Sequence, residues 1–216
     1  MTELIFIRHG ETDWNRQQRF QGHIDVALNA TGRAQAQRLA ERLGAEAADV
    51  LISSDLSRAL QTAAPLGRAW TLQAAPMPGL REQSFGILEG LDVPTIKTEH
   101  AALWRDWLSH RADFALPGGG ESLRQFHDRV LAAVRDIADT HAGRRVAVVT
   151  HGGVLDMLWR EAQGLPLDGL RECAIPNAGI NRLRWRGGTL HIELWGDDAH
   201  LAGLPEQPNT NAGERP

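Results

Sequence analysis

The chain has 216 residues, 42% of them hydrophobic and 23% charged, the balance of a globular protein able to bury a full core. A net charge of −4 argues against non-specific binding to nucleic acid or to an anionic membrane, both of which need a basic face. One cysteine, Cys173, excludes an internal disulfide and a cysteine-based metal set, and no apolar run reaches the ~20 residues of a membrane span.

Leu4-Ile5-Phe6-Ile7 is a short continuous apolar run of the kind a buried parallel strand needs. It follows the N-terminus at once, with no signal-peptide core before it, so the expected location is cytoplasmic. The run stops at Arg8-His9-Gly10, where a cation and an imidazole meet a residue that allows a sharp turn. Thr12 to Asp25 then reads as a polar loop with one helical turn. Asn29 to Gly32 offers a cap for a helix through Ala34, Leu39, Ala40 and Leu43, ended by Gly44. Val50-Leu51-Ile52 is a second strand breaking into Ser53-Ser54-Asp55, and Asp55 or Ser57 can cap the next helix, with Arg58 in its first turn. The weaker pattern of residues 72–117, with Leu103, Trp104, Trp107 and Leu108 on one helical face, reads as an insertion over the sheet edge. This cap spans roughly residues 85–120, and its tryptophans read as core rather than as a platform for substrate. Ser122 opens a strongly amphipathic helix through Leu123, Phe126, Val130, Val134 and Ile137 to a stop at Gly143. The clearest strand, Val146 to Val149, ends in Thr150-His151-Gly152-Gly153 and leads into a helix, repeating the opening arrangement. Leu183 and Trp185, then Leu190, Ile192 and Leu194, alternate about Gly187-Gly188 as a β-hairpin. Residues 205–216, rich in proline, asparagine and glycine, read as a disordered tail after a single domain over 1–204.

Strand ends therefore carry His9 and His151, a helix start after a third strand carries Arg58, and Arg8 adjoins the first. A mostly parallel α/β sheet gathers such ends along one edge, where ligands bind. Arginine suits phosphate because its planar fork pairs with two oxygens and stays charged. Neighbouring cations disfavour protonation of an imidazole, so one histidine can present a lone pair as nucleophile. The leaving alkoxide needs a proton, for which Glu82, Glu89, Glu99 and Glu121 are all open. No HExxH or DxD pattern adjoins these strands, so no metal and no cofactor are expected.

Several stretches, in order, resemble the histidine phosphatase superfamily, in the branch with cofactor-dependent phosphoglycerate mutase and α-ribazole phosphatase-like enzymes. They are Arg8 to Asn15, Gln21-Gly22 with Asp25 and Leu28, Ser53 to Ala59 with Gln61-Thr62, Leu80-Arg81-Glu82 with Phe85-Gly86 and Glu89-Gly90, Gly120 to Ser122, and Val149 to Gly153. The resemblance implies a three-layer α/β/α sandwich with the strand ends forming the pocket. It implies that His9 is phosphorylated, that Arg8, Arg58 and His151 hold the phosphoryl oxygens, and that Glu82 is the proton donor. Asn15, Gln21, Gly22 and Gly152 would line the substrate side. Of the other histidines, His110 in the cap merits attention.

The implied activity is that of a metal-independent phosphomonoesterase acting on a small phosphorylated metabolite, with phosphoglycerate mutase as the alternative. The cap offers only Lys97, Arg105 and Arg111 as cations beside several apolar residues, and the chain has no tyrosine. That composition favours a larger, partly apolar ester over a doubly anionic one. The expected partner is a small-molecule phosphate ester, with no nucleic acid and no membrane; the terminal hairpin could also pair across a homodimer.

Overall fold

The computed structural model describes residues 1–109 and 111–207. His110 and residues 208–216 lie outside the described residues. Strand β1 (Thr2–Arg8) forms the centre of a six-stranded sheet with β2 (Val50–Ser53), β3 (Ala75–Pro76), β4 (Arg145–Thr150), β5 (Ile180–Arg186) and β6 (Thr189–Asp197). Their order is β3-β2-β4-β1-β5-β6. The first four run parallel, and β5 and β6 are antiparallel additions on the far side of β1.

Alternation along β1 explains the layering. Leu4 and Phe6 join an apolar cluster with α6 (Leu123–Thr140) and α7 (Gly152–Gln163) on one face. Ile5 and Ile7 join a second cluster with α2 (Ala30–Leu43) and α3 (Ser57–Trp70) on the other. Successive side chains of a strand point to opposite faces, so a wholly apolar run demands cover on both. A third cluster lies apart from these two. It joins Phe20 to Phe85, Leu88, Ile96, Trp104, Trp107 and Leu116, drawing on α4 (Val93–Glu99) and α5 (Ala101–Leu108). Trp104 and Trp107 stack with centroids 5.3 Å apart and belong to that cluster's core, as their spacing suggested.

Local chemistry sets the helix boundaries. Asn29 caps α2 through Gly32 N–H, and Ser122 caps α6 in a reciprocal box with Gln125. The cap of α3 departs from expectation. Leu56 occupies the N-cap position and gives no side-chain bond, Asp55 is taken by Arg81, and the first-turn N–H of Ser57 donates to Asp25 at 2.7 Å. The capping carboxylate thus arrives from a loop far earlier in the chain. The hairpin is also placed more fully than its pattern specified: β5 pairs with β1 along Thr2↔Trp185 to Ile7↔Ile180, completing the sheet of its own chain. At the end of the described residues, Gln207 donates to Asn177 O at 3.1 Å and accepts from Asn177 N–H at 2.6 Å. Short β3 and α4 carry too little pattern to be read from sequence. No helix among the described residues is long and apolar enough to cross a membrane.

The register fixes the functional edge. Arg8 lies opposite Thr150, and Ser53 opposite Val149. His9 N–H then donates to Thr150 O at 2.8 Å and Ser54 N–H to Val149 O at 2.9 Å, carrying the order of the sheet past the strand ends. Beyond β1 the chain presses against the start of α2: a Cβ on Gly10 would stand 2.6 Å from Gly32 O, and one on Gly32 would collide with the backbone of Glu11. Gly32→Ala is therefore expected to lose about 1–3 kcal/mol in urea unfolding, the range for inserting a methyl into a packed contact, and to depress activity through displacement of the turn after His9.

Candidate active site

The strand ends converge on a cleft lined by Arg8, His9, Trp14, Asn15, Arg19, Gln21, Gly22, Arg58, Glu82, Gln83, Phe85, Gly153 and Arg171. The empty space within it is about 560 Å³ with the open mouth included. The rings of His9 and His151 lie 5.2 Å apart by centroid, with His151 fully buried behind the lining.

Hydrogen bonds fix both imidazoles. His9 Nδ1–H donates to its neighbour Gly10 O at 2.7 Å, which leaves the Nε2 lone pair as the reactive position. His151 Nδ1 accepts from Arg58 Nε at 3.3 Å, so its Nε2–H donates to Ser54 Oγ at 2.8 Å. Both are therefore written as neutral rings. Burial first, then the Arg58 charge, holds each well below the ordinary histidine value of 6.5. For His9 the Arg8 charge adds to this, and the Gly10 carbonyl acts weakly the other way.

The two arginines are anchored by main chain. Arg8 Nη1 donates to Ile175 O at 2.6 Å, while its buried Nε has no hydrogen-bond partner among the described residues. Arg58, fully buried in the first turn of α3, donates to Gly22 O at 2.8 Å and Ile24 O at 3.0 Å. Burial lowers both guanidinium values to about 10, with Arg171 also acting on Arg8. Each therefore remains charged at neutral pH. The carbonyls orient the forks without neutralising them, which suits an incoming anion.

Of the four candidate carboxylates only Glu82 lines the cleft. Its oxygens accept from Gln83 N–H at 2.9 Å and from Gly153 N–H, at the start of α7, at 3.0 Å. A Cβ on Gly153 would collide with Glu82 Oε1, so the second glycine of the pair permits this approach. Glu121 is engaged with Arg129 by two hydrogen bonds of 2.7 Å, Glu89 braces the N–H groups of His23 and Phe85, and Glu99 lies at the end of α4. Arg129 also holds the carbonyls of Gly79, Arg81 and Glu82, fixing the segment that carries the acid, and His23 Nε2–H donates to Glu82 O at 2.8 Å.

The residues expected on the substrate side are brought together with one exception. Asn15 and Gln21 line the cleft, each with its carbonyl oxygen engaged by Thr12, which leaves the amide nitrogens as the groups open to a ligand. Gly22 lines it too. Gly152 does not; it packs beneath the guanidinium of Arg8, and its neighbour Gly153 takes the place at the wall. Sequence reasoning missed Arg19 and Arg171. Arg19 stacks on Trp14, 5.4 Å from the ring centroid, within a stretch read only as loop. Arg171 lies in a segment with no periodicity at all. Of the three cap cations, Lys97 lies over Trp104 and Arg111 over Phe114, while the additional charge in the cleft, Arg19 and Arg171, comes from outside the cap. No group of three or more His, Cys, Asp or Glu that could hold a metal ion occurs among the described residues.

Residues 4–198 match the model of the histidine phosphatase superfamily, branch 1. The chain belongs to this family. Among curated relatives of this histidine phosphatase is phosphoglycerate mutase-like protein 4 of Arabidopsis thaliana, 39% identical over 92% of this chain and 86% of the relative. Another is a metal-independent phosphoserine phosphatase of the same plant, 37% identical over 94% and 85% respectively. Among solved structures, YhfR of Bacillus stearothermophilus superposes with a TM-score of 0.86 at 32% identity, covering 93% of this chain and all (100%) of that one. The mixed α/β architecture is thus shared by the family's solved members.

The depressed values of the two histidines give a test. In the unfolded chain both titrate near 6.5 and in the folded protein well below it, so the unfolded state binds more protons in that interval. Stability is expected to fall as pH drops below about 6.5, seen as a lower urea midpoint. In an NMR titration the ring resonances of His9 and His151 are expected to remain at the neutral position at pH 6, where exposed histidines are already largely protonated.

Proposed function

We propose that this histidine phosphatase hydrolyses small phosphate monoesters through a phosphohistidine on His9. The observation that carries the reading is the fixed tautomer of His9, whose Nδ1–H is held by Gly10 while Nε2 remains available beside Arg8, Arg58 and Glu82. In the first half-reaction Nε2 attacks phosphorus, the P–O ester bond breaks, and Glu82 gives its proton to the leaving oxygen. In the second, Glu82 takes a proton from water, the hydroxide attacks phosphorus, and the P–N bond breaks to release inorganic phosphate. Arg8 and Arg58 stabilise the equatorial oxygens throughout, and the leading N–H groups of α7 add a positive helix end. Asn15 and Gln21 give amide hydrogen bonds to the bound ester. His151 stays in its neutral form, accepting from Arg58 Nε at Nδ1 and donating from Nε2–H to Ser54 Oγ, and so orients that guanidinium toward the phosphoryl oxygens.

This scheme, in which the chain's own residues carry every step, accords with the name of the phosphoserine phosphatase relative, which is called metal-independent. One observation favours a second reading, a mutase that passes the phosphoryl group to another hydroxyl: Arg19 and Arg171 supply the extra cations that the cap composition lacked. Transfer between 2- and 3-phosphoglycerate in the presence of the bisphosphate, measured against phosphate release, decides between the two.

Hydrolysis of p-nitrophenyl phosphate is expected to persist in EDTA and to vanish in His9→Ala; full loss on chelation, or activity retained without the imidazole, overturns the scheme. Glu82→Gln is expected to lower kcat by about 10²–10⁴ for an alkyl phosphate, as removal of a general acid does. The loss is smaller for p-nitrophenyl phosphate, whose leaving group needs little protonation. Equal losses on the two esters would remove Glu82 from the proton-transfer role.

A further inference from the structure

The segment that follows α7 has no regular structure, so its backbone groups need partners outside any helix or sheet. One side chain supplies five carbonyls with a donor. Arg160, buried near the end of α7, donates through Nη1 to Pro166 O (2.6 Å), Leu167 O (3.5 Å) and Asp168 O (3.3 Å). Through Nη2 it donates to Gly169 O (3.0 Å) and Leu170 O (2.7 Å). Fully buried Asp156, one helical turn back, accepts from Arg160 Nε at 3.3 Å and forms an ion pair with Arg171 Nε at 3.8 Å. Asp168 in turn accepts from Ala112 N–H at 2.7 Å, tying the loop to the cap. Enclosing charged groups in this way costs free energy that apolar residues in the same places would not, and a loop that merely covered α7 would have no need of it.

The clasp ends at Leu170, one residue before Arg171, whose side chain lines the cleft. Shared between two guanidiniums, the Asp156 carboxylate orients Arg171 without cancelling its charge in full. With Nε turned to Asp156, the fork reaches the start of α7. A Cβ built on Gly152 would stand 3.9 Å from Arg171 Nη1, 3.4 Å from Arg8 Nε and 3.6 Å from Arg8 Cζ. The two guanidiniums therefore flank one point. Such proximity of like charges is unfavourable until an anion joins them, and Arg171 is, after burial, the strongest influence lowering Arg8 to about 10. Arg8 Nε is moreover buried without a hydrogen-bond partner among the described residues, a donor matched to an incoming acceptor.

We propose that Asp156 and Arg160 are positioning residues that hold Arg171 beside Arg8, where it serves as a third guanidinium on the phosphoryl group. The inference rests on the phosphatase reading and deepens it. A phosphoryl group directs its oxygens to several sides, so Arg8, Arg58 and Arg171 can each engage it by charge-assisted hydrogen bonds. Neither Asp156 nor Arg160 lines the cleft, and both act through the residue they place.

The test uses two probes that present only the phosphoryl end: inorganic phosphate, followed by titration calorimetry, and p-nitrophenyl phosphate. Arg171→Met is expected to weaken phosphate binding and to lower kcat/KM for the ester, each by about 10- to 100-fold, the worth of one charge-assisted hydrogen bond. Arg171→Lys is expected to restore part of both. Arg160→Met is expected to give losses of the same kind, and the double variant to be no worse than Arg171→Met alone, because the clasp acts only through that residue. Far-UV circular dichroism and a thermal melt establish that each variant is folded. If Arg160→Met does not fold, Asp156→Asn, which keeps the size of the side chain while withdrawing its charge from Arg171, carries the same comparison. Losses that multiply in the double variant overturn the positioning role and make the pair a general support of the fold. Unchanged phosphate affinity in Arg171→Met overturns the phosphoryl role. Absence of ester turnover by the wild type would instead sink the underlying phosphatase reading, and the calorimetric comparison would still decide whether Arg171 binds phosphate.

Discussion

The structure is organised around positive charge held in a buried place without being neutralised. Arg58 is fully enclosed, yet it gives its hydrogen bonds to two carbonyls and an imidazole rather than to a carboxylate. Removing such a group from water costs several kcal/mol even after relaxation, and nothing in the immediate cage returns it in full. The cost is carried by the rest of the fold, whose two apolar layers on β1 and β4 supply a rigid floor. What the protein gains is a site whose electrostatic work is done before the ligand arrives, so that little reorganisation is needed when charge shifts during reaction.

The same field determines the chemistry of the histidines. A lone imidazole at neutral pH is close to balance between its two forms, and the cations beside His9 and His151 resolve that balance toward the neutral ring. Neutrality then lets each ring act by which nitrogen bears the proton, and the partners Gly10 and Ser54 make that choice. In the proposed scheme, binding power and nucleophilicity therefore have one source. Glycine at 153 completes the arrangement, since only the absence of a side chain there lets the Glu82 carboxylate close on the start of α7.

How much of this could be read from the chain follows from how local each signal is. The strands Leu4 to Ile7 and Val146 to Val149 carry their burial in their own composition, and the Arg-His-Gly and His-Gly-Gly breaks mark their ends. The parallel register that brings His9 toward His151 could be inferred because both breaks are the same in kind. Glu82 could not be separated from Glu89 or Glu121 by residue type. What separates them is position, since of the three only Glu82 lines the cleft, while Glu121 is held by Arg129 and Glu89 braces backbone N–H groups away from it. The cap of α3 escaped notice because Asp25 lies 32 residues before Ser57. Arg19 and Arg171 escaped because their loops have no period; Arg19 rests on Trp14, and the loop leading to Arg171 is held by Arg160. Charge counted along the cap was a poor guide to charge present in the cleft.

The grip of Arg160 on the carbonyls of residues 166–170 has a consequence for how this protein can change. Main-chain oxygens are the same in every amino acid, so the clasp fixes the path of the loop while remaining blind to the identity of its side chains. Substitutions there are free to accumulate without moving the tip. An insertion or deletion of even one residue would put the carbonyls out of step with the reach of Arg160 Nη1 and Nη2 and swing Arg171 away. The position of Arg171 is thus written in the length of a loop more than in its letters.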